Sequence, residues 1–177
     1  MTNREINILL VEDNQEDMDL TLHSLRRENL ANKIFIVRDG EEALDFLFST
    51  GPYALRGPEQ MPKLILLDLK LPKVSGLEVL QRIKEDPRTQ TIPVVILTSS
   101  QEESDLLNGY RLGVNSYIQK PIDFDQFQTM IRDLGYYWLV VNRCPPPESF
   151  PTQGRDGAEP ALPSRPIPSP GPPTTSA

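Results

Sequence analysis

The chain has 177 residues, a formal net charge of −7 at pH 7 and a pI near 4.8. That is room for one ordinary domain and something extra, without the basic footprint of a protein dedicated to nucleic acid or to anionic membrane surfaces. The single cysteine, Cys144, excludes an intramolecular disulfide and a cysteine-built metal centre, and is expected to be an inert thiol.

Met1 to Glu5 lead straight into an apolar run, and no stretch approaches the roughly 18 apolar residues of a membrane span, so a cytoplasmic protein is expected. Ile6 to Val11 reads as a first strand ending at Glu12 and Asp13. Met18, Leu22 and Leu25 then recur at helical spacing behind Asn14, a plausible cap. His23 lies off that stripe and is assigned no role. Lys33 to Val37 alternates enough for a strand nearer a sheet edge, and Gly40 to Thr50 reads as a helix through Ala43, Leu44, Leu47 and Phe48. The next stretch, Gly51 to Pro62, holds Pro52, Gly57, Pro58 and Pro62 and is expected to be a long surface loop without helix or ladder.

Leu64 to Leu67 is apolar without alternation and runs into a single carboxylate, Asp68, as a strand buried on both faces does when it ends at a site. A helix follows through Leu77, Leu80 and Ile83, closed by Asp86-Pro87. Ile92 to Leu97 reads as a fourth strand ending in Thr98, Ser99 and Ser100, and Gln101 to Tyr110 as a helix. Val114 to Ile118 is a fifth strand two residues before Lys120-Pro121. Phe124, Phe127, Ile131, Leu134 and Trp138 then mark the most strongly periodic helix, its aromatic stripe expected to be core.

Strands alternating with helices five times over predict an α/β domain with a parallel sheet and helices on both faces. The predicted domain covers residues 1–144. Beyond it, 11 of the 33 residues from Pro145 to Ala177 are proline, and this segment is expected to be a disordered, partly extended tail acting as linker or spacer.

Every crossover returns the chain to the same edge, so the acidic, hydroxyl and Lys-Pro endings come out on one side of the sheet. Glu12, Asp13 and Asp68 in one crevice would repel unless a cation sits among them. Oxygen donors without histidine or cysteine suit Mg²⁺, which keeps waters and takes one or two carboxylates with a phosphate. A hydroxyl from Thr98 and an ammonium from Lys120 complete a phosphoryl-binding constellation in which Asp68 is the natural acceptor.

Val11-Glu12-Asp13-Asn14, Leu67-Asp68-Leu69-Lys70-Leu71-Pro72 with Gly76, Leu97-Thr98-Ser99 and Lys120-Pro121 resemble the receiver domain of two-component response regulators, over about Ile6 to Trp138. The resemblance implies a doubly wound, flavodoxin-like (CheY-like) fold with five strands in the order 2-1-3-4-5 and five helices. It implies Asp68 as phosphoacceptor, Asp13 as a direct Mg²⁺ ligand, Glu12 as a ligand through water, and the backbone carbonyl of Lys70 as a further ligand. Thr98 and Lys120 would bind phosphoryl oxygens, Lys120-Pro121 would be a cis peptide, and Tyr117 falls where the family has its switch aromatic. The alternative for Tyr117 is a surface strand aromatic.

The long second loop, the run from Asp68 to Gly76, Thr98-Ser99-Ser100 and the Trp138 end more narrowly resemble single-domain regulators paired with phytochrome-class histidine kinases, although the tail departs from that pattern. A histidine kinase partner is therefore expected, with output through protein contacts and no DNA-binding module. A homodimer is expected through the fourth and fifth helices, with Leu106, Leu107 and Tyr110, or through Tyr136 to Val141. The competing readings are a phosphate sink, a phosphate-blind scaffold and an aspartyl-nucleophile phosphatase. The last lacks the acid two residues after its nucleophile, where Lys70 stands. Lys70 and Ser100 flank the acceptor pocket, where they would screen Asp68 from attacking water, and Lys70 is expected to set the acyl-phosphate lifetime.

Overall fold

The computed structural model describes residues 6–27, 33–120, 123–143 and 145. The expectations for the proline-rich tail, for Cys144 and for the bond joining Lys120 to Pro121 fall outside the described residues. Within them the chain alternates β1 (Asn7–Val11), α1 (Gln15–Arg27), β2 (Lys33–Val37), α2 (Gly40–Phe48), β3 (Leu64–Leu67), α3 (Gly76–Glu85), β4 (Val94–Thr98), α4 (Glu103–Arg111), β5 (Ser116–Gln119) and α5 (Phe124–Tyr136). All four strand pairings are parallel and the order is β2-β1-β3-β4-β5.

The period-two geometry of a strand sorts the core into two layers. Leu9, Val11, Ile65, Leu67, Val94 and Ile96 face α2 and α3, where Ala43, Phe46, Leu47, Val79, Leu80 and Ile83 meet them. Their neighbours Ile8, Leu10, Leu64, Leu66, Val95 and Leu97 face α1 and α5, against Met18, Leu22, Leu25, Phe127, Ile131 and Leu134. β1, β3 and β4 are buried along their whole length, which explains why they read as unbroken apolar runs. β2, at the edge, begins exposed. Each such aliphatic side chain stabilises the fold by about 1.5–3 kcal/mol.

Three expectations need correction. Gly51 to Pro62 is not irregular throughout: it contains short 3-10 turns at Gly51–Tyr53 and Pro58–Gln60, because proline suits the first positions of such a turn, where no N–H is required. The segment is also anchored. The Arg56 guanidinium donates to the carbonyls of Phe46 and Leu47 (2.7 and 3.1 Å), satisfying the open end of α2, and lies 4.7 Å over the Phe46 ring. Asn7 Nδ2 donates to the Glu59 carbonyl at 3.0 Å, tying the far side of the loop to β1.

Phe124 is half exposed rather than core. It is the first residue of α5, directly after the cap Asp123, whose carboxylate accepts from the Gln126 N–H, and the burial of this helix starts only at Phe127. The last helix stops its regular course at Tyr136 and continues as a π-helical turn, Tyr137–Val141. Only Trp138 and Leu139 of that turn pack on the α1/α5 layer.

Candidate functional site

The register puts the strand endings side by side. Val11 pairs with Leu67, so Glu12 and Asp68 emerge from adjacent strands, and Thr98 pairs with Gln119, so Lys120 follows immediately beside it. The backbone ladder continues one step past the strands: Asp68 N–H donates to the Val11 carbonyl (3.0 Å) and Lys120 N–H to that of Thr98 (2.8 Å). These side chains are thereby carried on backbone bonded to the central sheet.

Glu12, Asp13 and Asp68 offer carboxylate oxygens that lie within 4.8 Å of one another, with Glu12 and Asp68 buried and Asp13 exposed. One Glu12 oxygen accepts from the Asn14 N–H at 3.1 Å and the other from Lys120 Nζ at 2.6 Å. Asp68 Oδ1 accepts from the Leu69 N–H at 2.7 Å, and Oδ2 stands 3.6 Å from Lys120 Nζ. Three carboxylates against one ammonium leave an excess of negative charge in a confined space with oxygen donors only. That donor set fits a hard divalent cation.

Glu12 and Lys120 both hold their protons more tightly than in water. For Glu12 burial dominates and pushes the carboxyl up to about 7, against the pull of Lys120. For Lys120 burial acts downward but is outweighed by its hydrogen bonds to Asp17 and Glu12 and by the charge of Asp68, so it is raised and remains cationic.

The loop after Asp68 is pinned from beneath. Gly76 N–H donates to the Leu69 carbonyl (3.0 Å), and a Cβ on Gly76 would lie 2.2 Å from the Asp68 carbonyl oxygen. Lys70, two residues past Asp68, has an exposed side chain in this loop. Thr98 is fully buried and its hydroxyl accepts from the Ser100 N–H at 3.2 Å. Ser100 in turn donates to Asp105 Oδ2 at 2.7 Å, linking the end of β4 to the first turn of α4. Tyr117 is not a surface aromatic. Its ring packs beside Gly109, whose added Cβ would meet the ring at 3.3 Å, and its hydroxyl is buried with no partner among the described residues. Burial, with Asp105, Asp68 and Glu102 nearby, raises its pKa.

Of the residues singled out in the sequence, Glu12, Asp13, Asp68 and Lys120 converge directly, and Thr98 joins them through the backbone of Lys120. One member was missed. Asp17 Oδ2 accepts from Lys120 Nζ at 2.7 Å. The signal was available: Asn14 caps α1 through the Asp17 N–H (3.0 Å), so Asp17 belongs to the helical turn that begins at the strand-end edge.

The chain is similar to known proteins over most of its length. The family profile described as response regulator receiver domain matches residues 8–132. The chain is 42% identical over 141 residues to the probable methanogenesis regulatory protein FilR2 of Methanothrix harundinacea, covering 79% of this chain and 88% of that protein. It is 41% identical over 138 residues to response regulator Rcp1 of Synechocystis, covering 78% and 92%. Among solved structures, the phosphorylated cyanobacterial phytochrome response regulator RcpA superposes with a TM-score of 0.75 at 39% identity, over 80% of this chain and 99% of that one. The bacteriophytochrome response regulator RtBRR is 52% identical, with a TM-score of 0.65, over 81% and 86%. Strand order, strand-end carboxylates and sequence identity over most of the chain agree, and the protein belongs to the response regulator receiver domain family.

Proposed function

We propose that this protein is a single-domain response regulator that accepts a phosphoryl group onto Asp68 from the phosphohistidine of a partner kinase. The observation that carries the reading is the approach of Lys120 Nζ to 3.6 Å from Asp68 Oδ2 within a three-carboxylate crevice. In the transfer, a carboxylate oxygen of Asp68 forms the new O–P bond while the P–N bond of the donor breaks. The imidazole nitrogen departs with the electron pair.

Asp13, Glu12 and the Lys70 carbonyl, with Asp68, would hold Mg²⁺, which when bound neutralises charge on the equatorial phosphoryl oxygens. The ammonium of Lys120 and the hydroxyl of Thr98 bind those same oxygens. Thr98 donates its hydroxyl proton to a phosphoryl oxygen, a role compatible with its lone pair accepting from the Ser100 N–H, and Tyr117 responds at α4 as the switch aromatic. Its hydroxyl, without a partner among the described residues, gives the inward position a polar cost set against the burial of the ring.

A phytochrome-class histidine kinase is the proposed donor, on the strength of the 52% identity to a protein described as a bacteriophytochrome response regulator. Residues 1–144 would form the receiver unit and 145–177 a spacer, with output through protein contacts rather than DNA. The exposed Leu106, Leu107 and Tyr110 on α4, with Tyr136, Tyr137, Val140 and Val141 at the end of α5, support a homodimer through that side. Among the described residues no helix is long and apolar enough to cross a membrane, which supports a cytoplasmic site of action.

The test is incorporation of a base-labile phosphoryl group from a small acyl-phosphate donor. Labelling of the wild type that requires Mg²⁺ and disappears in Asp68→Asn is the expected result. Equal labelling of Asp68→Asn would overturn the assignment.

A further inference from the structure

Lys120 is gripped from a direction for which phosphoryl transfer has no use. Its ammonium has three N–H donors and a side chain only 6% exposed. It gives one bond to Glu12 Oε2 at 2.6 Å and one to Asp17 Oδ2 at 2.7 Å, and remains 3.6 Å from Asp68 Oδ2. Asp17 stands outside the group of carboxylates that could share a cation, which among the described residues is Glu12, Asp13 and Asp68. Its carboxylate comes from a fixed turn. The Asp17 N–H is held by Asn14 Oδ1 at 3.0 Å, and its carbonyl accepts from the Thr21 hydroxyl at 2.8 Å.

Charged hydrogen bonds at these lengths are the strong ones. The third N–H has no such bond among the described residues, but an ammonium drawn in from 3.6 Å toward phosphoryl oxygens on Asp68 is pulled away from partners at 2.6 and 2.7 Å, which lengthens at least one of those bonds. Glu12 has a second employment as a candidate metal ligand, whereas Asp17 has none. We propose that Asp17 is a positioning residue that holds Lys120 in a resting place off the acceptor, so that phosphoryl oxygens on Asp68 must win the ammonium from it. The proposal rests on the reading of Asp68 as phosphoacceptor. It makes the first turn of α1 a reporter of the state of Asp68, since winning Lys120 leaves the Asp17 carboxylate without its ammonium.

The experiment uses beryllofluoride as a stand-in for the phosphoryl group, titrated by calorimetry into the full chain at saturating Mg²⁺. Wild type is compared with Asp17→Asn, Asp17→Glu and Asp19→Asn. Asp19 lies on the same helix, is exposed, and among the described residues its side chain accepts from Gln15, so its variant removes equal charge without touching Lys120. Asp17→Asn should bind beryllofluoride about three- to tenfold more tightly, the range for losing one partly exposed charged partner. Asp19→Asn should match wild type, and Asp17→Glu, which keeps a carboxylate within reach, should return toward it. The side-chain ammonium resonance of Lys120 should also shift in ligand-free Asp17→Asn, which a purely helix-forming role for Asp17 would not produce.

Unchanged or weaker binding by Asp17→Asn overturns the proposal, as does equal tightening in Asp19→Asn, which would mean a general charge effect. Failure of the wild type to bind beryllofluoride would remove the acceptor reading and this proposal with it. Wild-type binding with an indifferent Asp17→Asn would remove the proposal alone.

Discussion

At the scale of single residues, the site is held by groups whose chemistry is plain but whose positions are not. Gly76 is the clearest case. Its missing Cβ leaves room for the Asp68 carbonyl oxygen and the Leu69 Cα, which an alanine would approach to 2.2 and 2.6 Å. Backbone at both contacts cannot swing aside, so Gly76→Ala must push the loop that follows the acceptor. The expected cost is about 1–3 kcal/mol of stability, read from urea unfolding, together with weaker Mg²⁺ binding by calorimetry. A variant as stable as wild type would show that this loop is free to move.

Asp39 illustrates a second kind of residue, one that serves two elements at once. Its carboxylate accepts from the Glu42 N–H at the start of α2 and from Lys73 at 2.9 Å, in the loop after β3. Burial pushes its pKa upward, but those two partners outweigh it and hold the carboxyl below its usual 3.8. A depressed acid stabilises the fold fully above its unfolded value and loses that contribution as pH falls through the folded one. Asp39→Ala should therefore lose about 1 kcal/mol at pH 7, the ordinary worth of such a cap, and the gap to wild type should be smaller at a pH well below the ordinary 3.8. Urea midpoints of the two proteins at both pH values measure it. A constant gap would mean that the carboxylate charge contributes nothing.

At the scale of elements, the central strands were the most legible part of the sequence. Leu64 to Leu67 could only be a strand buried on both sides, and its bounds came out as read. The helices were recognised with ends off by one or two residues, since α2 stops at Phe48 rather than Thr50 and α4 begins at Glu103 rather than Gln101. Local pattern does not carry the capping that sets those ends. Ser49 takes a left-handed conformation (φ 54°) that closes α2, and no periodicity announces that. The loop from Gly51 to Pro62 was judged by its prolines, which forbid a ladder but permit 3-10 turns. Its order comes from Arg56 and Tyr53 reaching back to α2, contacts that depend on three-dimensional proximity. α4 stands apart from the other helices in burying only Gly109, which suits an element whose position depends on Tyr117 and Asp105 rather than on a deep core.

At the scale of the whole molecule, most of the exposed large apolar residues lie on α4 and around the end of α5, the others being Phe124 at the start of α5 and Leu55 on the long loop. A surface of that kind is usual for an interface. Light scattering should give a dimer mass, and replacing Tyr136, Val140 and Val141 together by serine should shift the protein to monomer without lowering the unfolding free energy of the chain by more than about 1 kcal/mol, because all three are exposed. A concentration-independent monomer mass in the wild type would exclude this surface as a self-association site.

The amino-acid sequence by itself determined the class of fold, the burial of the central strands and the identity of the strand-end groups, because alternation of strand and helix patterns forces parallel crossovers that deliver Glu12, Asp68, Thr98 and Lys120 to one edge. Which carboxylates share Lys120, whether Tyr117 turns inward and that Asp17 belongs beside the site were decided only by the tertiary structure. Those facts depend on contacts between residues up to 108 apart in the chain, and the range of a periodic pattern ends with the element that carries it.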